Sequence, residues 1–137
     1  NFMKAIPTIQ KYMTVLPHTI GADQTLEKAE KMMSEHRVRH LPVLDGGKLV
    51  GVLTDRDVKL VETFKDVDPT TMQISEAYTP DPYITTPDAP LSDVCSEMAS
   101  HRYSCALVCD NKKLVGIFTW VDALKAMTTL LDGRLKH

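Results

Sequence analysis

Two short stretches of this chain set a hydroxyl three residues ahead of a carboxylate, with a glycine three residues before the hydroxyl: Gly51, Thr54 and Asp57, then Gly116, Thr119 and Asp122. A carboxylate can accept both hydrogen bonds of a vicinal diol, which is how acidic residues hold a ribose. If each Thr–Asp pair opens a helix, the N–H groups and dipole of that helix also attract phosphate. The glycine allows another group to approach the strand backbone closely. Together these features suit a nucleoside phosphate. The same spacing has a second reading. A Thr followed three residues later by an acid, ahead of an apolar helix, approximates a capping box, in which Thr54 accepts from the backbone N–H of Asp57 and the helix dipole favours the acid. Spacing alone leaves both readings open.

The endings belong to a larger repeat. Residues 36–57, HRVRHLPVLDGGKLVGVLTDRD, return 65 positions later as residues 101–122, HRYSCALVCDNKKLVGIFTWVD. Pairing 9–60 with 74–125 gives 16 identities in 52 positions, without a gap. Turn and cap residues such as Thr14, Asp23 and Asp45 are among them, so shared apolar character does not account for the match. One structural unit is therefore built twice.

The copies differ in charge. The first carries Arg39, His40, Arg56 and Lys59, where the second has Ser104, Cys105, Val121 and Leu124. Arg can grip a phosphate bidentately. Arg39 and Arg56 are accordingly expected to favour a phosphate ester over a nucleoside. An unperturbed histidine titrates near pH 6.5, so His40 is expected to add phosphate affinity as pH falls from about 8 to 6.

Composition narrows the field. The 137 residues are 43% hydrophobic and 25% charged, with 16 basic against 18 acidic side chains and a net charge of -2. That balance fits a soluble globular chain and offers no basic footprint for nucleic acid. No apolar run approaches the roughly 18 residues of a membrane span, and no signal-peptide core is evident. Three cysteines, Cys95, Cys105 and Cys109, suit a reducing cytoplasmic setting better than a disulfide framework. Cys105 and Cys109, four apart on one strand, are expected to point the same way into packed surroundings. His36 and His40 fall on different elements, so no zinc site is expected. There is no nucleophile–base pair and no Walker-type loop, which argues against an enzyme. Asn1-Phe2 ahead of Met3 reads either as an added remnant or as the start of a piece of a longer chain.

The elements that must position the endings follow from periodicity. A helical turn is expected at 9–13, a short strand at 18–21, and a helix at 26–36 capped by Asp23 or Thr25. Leu26, Ala29, Met32 and Met33 of that helix share an apolar face. Strands at 40–44 and 48–53 flank Asp45-Gly46-Gly47, a hairpin signal. A helix follows from 55 to about 63. The second copy predicts a turn at 74–78, a strand at 85–88 and a helix at 91–101 with Val94, Cys95 and Met98 inward. Strands at 105–109 and 113–118 and a helix from 120 to about 130 complete it. The domain boundaries read 9–65, a connector at 66–73, and 74–130. Each β-α-β-β-α unit is too small to bury its sheet alone, so a pseudo-two-fold pair sharing a core and framing two related clefts is expected.

The helix LEKAEKMMSEH, the strand HLPVLD and the endings KLVGVLTDRD and KLVGIFTWVD resemble the CBS domain, the repeat named after cystathionine β-synthase, in the tandem arrangement called a Bateman module. The resemblance covers about residues 9–128 and implies an α+β fold of two β-α-β-β-α repeats that commonly dimerise. It implies a regulatory module that binds an adenosine nucleotide, AMP, ADP or ATP, needs no cofactor and performs no catalysis. Two alternatives accompany it: a sensor of S-adenosylmethionine or a cyclic dinucleotide, and a structural homodimerisation module without a ligand. Carried residue by residue, the ribose acid falls on Asp57 and Asp122, and the hydroxyl beside it on Thr54 and Thr119. Adenine falls near Thr19 and Ile20, or Tyr83 to Thr85. Arg39, His40 and Arg56, expected at phosphate from their charge, and Pro42 complete the candidate ligand contacts. The second copy has Leu107 where the pattern carries Pro42.

Overall fold

The computed structural model describes residues 6–135, so the Asn1-Phe2 opening lies outside the described residues. The elements are β1 (Thr14–Val15), β2 (Ile20–Gly21), α1 (Leu26–His36), β3 (His40–Asp45), β4 (Lys48–Thr54), α2 (Asp55–Glu62), β5 (Thr79–Pro80), β6 (Ile84–Thr85), α3 (Leu91–His101), β7 (Cys105–Asp110), β8 (Lys113–Thr119) and α4 (Trp120–Leu135). Single 3₁₀ turns at Ile9–Lys11 and Ile74–Glu76 match the expected helical turns in place. The architecture is α+β, with four helices and two four-stranded sheets.

The described residues fold as two compact units, Pro17–Pro82 on the one hand, and 6–16 together with 83–135 on the other. The opening segment of each sequence repeat is therefore built into the other repeat's unit. In the first unit the sheet order is β2-β3-β4-β5; in the second it is β6-β7-β8-β1. β2 and β6 run parallel to their neighbours, with Ile20 opposite Val43 and Ile84 opposite Leu107. The hairpins β3–β4 and β7–β8 are antiparallel in matching register, His40 opposite Thr54 and Cys105 opposite Thr119.

β1 and β5, each two residues long, are strands that periodicity did not predict. β5 pairs Thr79 with Val52 and Pro80 with Gly51; β1 pairs Thr14 with Ile117 and Val15 with Gly116. The preceding turns are tied by equivalent bonds: Ile74 N–H donates to the Gln24 carbonyl at 2.8 Å, and Ile9 N–H to that of Ala89 at 2.8 Å.

Each unit encloses its own cluster of buried side chains. Leu26, Ala29, Met33, Leu41, Val43, Leu53, Val58 and Ile74 form the first. Leu91, Val94, Met98, Ala106, Val108, Phe118, Ala126 and Ile9 form the second. Met32 and Cys95, expected inward, sit only at the margins of these clusters. The helix over 26–36 has the predicted bounds, and Thr25 rather than Asp23 caps it, accepting from Lys28 N–H at 3.3 Å. α1 and α3 both end on an arginine in the left-handed region, Arg37 at φ 53° and Arg102 at φ 59°. The β3–β4 turn uses Gly46 and Gly47, both at positive φ, and Asn111 and Lys112 take the same conformation in the second copy. β6 comprises Ile84–Thr85 rather than 85–88, and α4 extends to Leu135. A register shift between Val108 and Cys109 interrupts the alternation that the common orientation of Cys105 and Cys109 assumed.

Candidate functional site

In the first unit, β3 begins where β4 ends, and α2 starts on the next residue. Thr54 is the N-cap. Its hydroxyl accepts from Asp57 N–H at 3.0 Å, and Asp57 Oδ2 accepts from Thr54 N–H at 3.0 Å. The capping box is thus complete, and it holds the carboxylate at the helix N-terminus. The two readings of the spacing are compatible, because a carboxylate has more acceptor positions than this cap uses.

The chain supplies Asp57 with another partner. Thr79 of β5 directs its hydroxyl at the carboxylate, 3.1 Å from each oxygen. In the second unit Thr14 of β1 donates to Asp122 Oδ1 at 3.0 Å. Thr119 N–H donates to Asp122 Oδ2 at 2.9 Å, and the Thr119 hydroxyl lies 3.2 Å from that oxygen. Thr14 and Thr79 were not among the residues assigned to ligand from sequence. Their signal was there, since they are identical at equivalent positions of the repeat.

Gly51 also has a defined neighbour. A Cβ at this position would run into the Thr79 carbonyl oxygen and the Tyr78 ring. The group that Gly51 admits is therefore β5 and the residue before it. At Gly116 the same space is taken by Met13, whose sulfur would lie 2.5 Å from an added Cβ.

Of the first-copy residues assigned to ligand, Arg39, His40, Thr54, Arg56 and Asp57 gather at this junction. His40 faces Thr54 across the hairpin, and Asp55 N–H donates to the Arg39 carbonyl at 3.0 Å. Arg39 and Arg56 are exposed, while Asp57 is half-buried. Lys59 turns back to Asp55 of its own helix at 3.6 Å. Thr19 and Ile20 lie further off, because Ile20 is in register with Val43, three residues along β3 from His40 and so about 10 Å away. The side chains of Ile20 and Pro42 are buried. In the second unit Thr85 is opposite Val108, and the Tyr83 ring stacks on Tyr103 with centroids 5.2 Å apart. Trp120 Nε1–H donates to the Tyr103 carbonyl at 3.1 Å, beside Thr119.

Burial dominates the ionisation of His40 and pushes its pKa below the ordinary 6.5, against the opposing pull of Asp55 and Asp57. The extra phosphate affinity expected from His40 between pH 8 and 6 is correspondingly diminished. The sign for stability follows from linkage. With the folded pKa below the unfolded one, the unfolded chain takes up the proton first as pH falls. His40 thus contributes its full share of stability above about pH 6.5 and loses it as pH drops through the lower folded value. Chemical denaturation at pH 7, 6 and 5 is expected to show wild type losing more stability than His40→Gln over this range; parallel losses would contradict the assignment.

Burial pushes the Cys105 thiol up to about 12, and those of Cys95 and Cys109 above their ordinary value. None has the lowered pKa that a reactive thiol requires. No group of three or more His, Cys, Asp or Glu side chains among the described residues could hold a metal. No helix among the described residues is long and apolar enough to cross a membrane.

Comparison with known proteins agrees with this architecture. The sequence profile of the CBS domain matches residues 9–61 and again 74–129. The CBS domain-containing protein YhcV of Bacillus subtilis is 33% identical over 110 residues, covering 80% of this chain and 78% of that protein. Inosine-5'-monophosphate dehydrogenase of Korarchaeum cryptofilum is 27% identical over 123 residues; the alignment spans 89% of this chain but only 25% of the enzyme. Among solved structures, the CBS domain pair of protein MJ0100, in complex with 5'-methylthioadenosine and S-adenosyl-L-methionine, superposes with a TM-score of 0.78 at 26% identity, covering 95% of this chain and 99% of that one.

Proposed function

We propose, starting from the fact that this chain belongs to the CBS domain family, that it is a regulatory module binding an adenosine-containing nucleotide at the Thr54–Asp57 junction. One observation carries the reading: a half-buried carboxylate, fixed by a capping box at the N-terminus of α2, has two exposed arginines in the adjoining segments. The carboxylate suits the ribose diol, and the helix N-terminus with Arg39 and Arg56 suits phosphate. AMP, ADP or ATP combines both. The adenosine ligands of the MJ0100 domain pair support the nucleoside part. Thr19 and the main chain of Ile20 and Pro42 border the same sheet further along β3, where the base would lie. The module acts by binding rather than catalysis and works in the cytoplasm, in keeping with its three free thiols.

Calorimetric titration with AMP and with adenosine tests the phosphate end. Arg39→Ala and Arg56→Ala are each expected to weaken AMP roughly tenfold, the order of one charge-assisted hydrogen bond, while leaving adenosine within about twofold. Equal losses for both ligands would mean that the arginines support the fold, and the phosphate assignment would fall.

The homodimer reading has its own support. Trp120, Leu124, Met127 and Leu131 follow helical spacing along α4, all at least half exposed, from 50% to 63%. An apolar stripe of this kind rarely stays bare. A second copy covering it would let nucleotide occupancy shift a monomer–dimer equilibrium through differential affinity. Sedimentation equilibrium showing a monomer across a wide concentration range, with and without AMP, would remove this part.

A further inference from the structure

The geometry points to unequal roles for the two aspartates: we infer that Asp57 alone serves as a nucleoside carboxylate, whereas Asp122 is a structural anchor fastening the Thr14 segment to the second unit. This rests on the reading of Asp57 given under Proposed function.

Acceptor capacity and burial separate the two carboxylates. A carboxylate offers about four lone-pair positions, and a vicinal diol needs two of them. Asp57 accepts from Thr54 N–H and from one shared hydroxyl proton of Thr79. Because that one proton is shared between Oδ1 and Oδ2, settling it on a single oxygen leaves two positions, on a side chain that is half-buried. Asp122 accepts from Thr119 N–H, the Thr119 hydroxyl and the Thr14 hydroxyl, which leaves one. Asp122 is also the single buried polar or charged residue among those described, at 8% exposure. A diol could take it only by displacing a bond at a carboxylate that is itself largely buried. The flanks differ in the same direction: Val121 and Leu124 occupy the places of Arg56 and Lys59.

Thr14 gives this anchor its purpose. Residues 9–16 open the first repeat yet fold with the second unit, through β1 and the turn at Ile9–Lys11. The Thr14–Asp122 bond spans 108 positions of sequence and ties β1 to the start of α4.

Titration with adenosine and AMP, using 5'-methylthioadenosine as a phosphate-free third probe, decides the matter alongside thermal denaturation. One ligand per chain is expected, lost at least tenfold in Asp57→Asn. Asp122→Asn and Thr14→Val should both lower Tm by about 5 °C while binding within about twofold of wild type. Two sites per chain would overturn the inference, as would a folded Asp122→Asn chain that no longer binds any of the probes. Tm unchanged in both Asp122→Asn and Thr14→Val would remove the anchor. Unchanged affinity in Asp57→Asn is a different failure: it removes the ribose reading itself, whatever the two Tm values show. Thr14→Val leaves the carboxylate in place, so the anchor stays testable if Asp122→Asn does not fold.

Discussion

Alanine at Gly51 is expected to cost about 3 kcal/mol of unfolding free energy, whereas alanine at Gly116 should cost about 1 kcal/mol or less. Neither glycine has a positive φ, so backbone strain is not the source. The difference lies in what each Cβ would meet. At Gly51 it meets the main-chain carbonyl of Thr79 and the Tyr78 ring, so β5 itself must move. At Gly116 it meets the flexible thioether of Met13, which can swing aside. Reduced entropy of the unfolded chain offsets both by about 0.4–1 kcal/mol. Because β5 carries Thr79, Gly51→Ala should also disturb the carboxylate of Asp57. Urea denaturation of both variants checks this; equal costs at the two positions would show that β5 is not held rigidly against β4.

Much of this architecture is legible from local pattern, and what is missing has identifiable causes. Leu26, Ala29 and Met33 mark one face of a helix, Thr25 its start, and Asp45-Gly46-Gly47 a hairpin. These signals lie within a few residues of the groups they organise. β1 and β5 are two residues long, too short for alternation to register, and Pro80 argues against a strand on propensity. Only the partners Gly51, Val52, Gly116 and Ile117, distant in sequence, make them strands. The endings were ambiguous in sequence because one spacing serves both readings: Thr54 and Asp57 form a capping box and still leave acceptor capacity. The inequality of Asp57 and Asp122 was not legible. Identical residues at identical spacing differ in burial because of what surrounds them. His40 is a similar case, for its lowered pKa arises chiefly from burial, with the adjacent Arg39 a lesser cause.

The second large effect concerns binding. Asp57→Ala removes the proposed diol acceptor, and hydrogen bonds to charged groups contribute roughly 1.5–3 kcal/mol, a loss of about tenfold to 150-fold in affinity. It also removes half of the capping box and the partner of Thr79, so some stability goes with it, about 1 kcal/mol for a lost cap. Asp57→Asn keeps an acceptor for Thr54 N–H and separates the two effects.

Isothermal titration of AMP into wild type and into folded Asp57→Ala, in parallel, bears most directly on the function assigned to this chain. The ribose assignment requires saturable binding to wild type and a loss of at least tenfold in the variant, with circular dichroism unchanged. Saturable binding of equal affinity in both proteins, or no heat from wild type with AMP, ADP, ATP or adenosine, would contradict it and leave Asp57 as a helix cap alone.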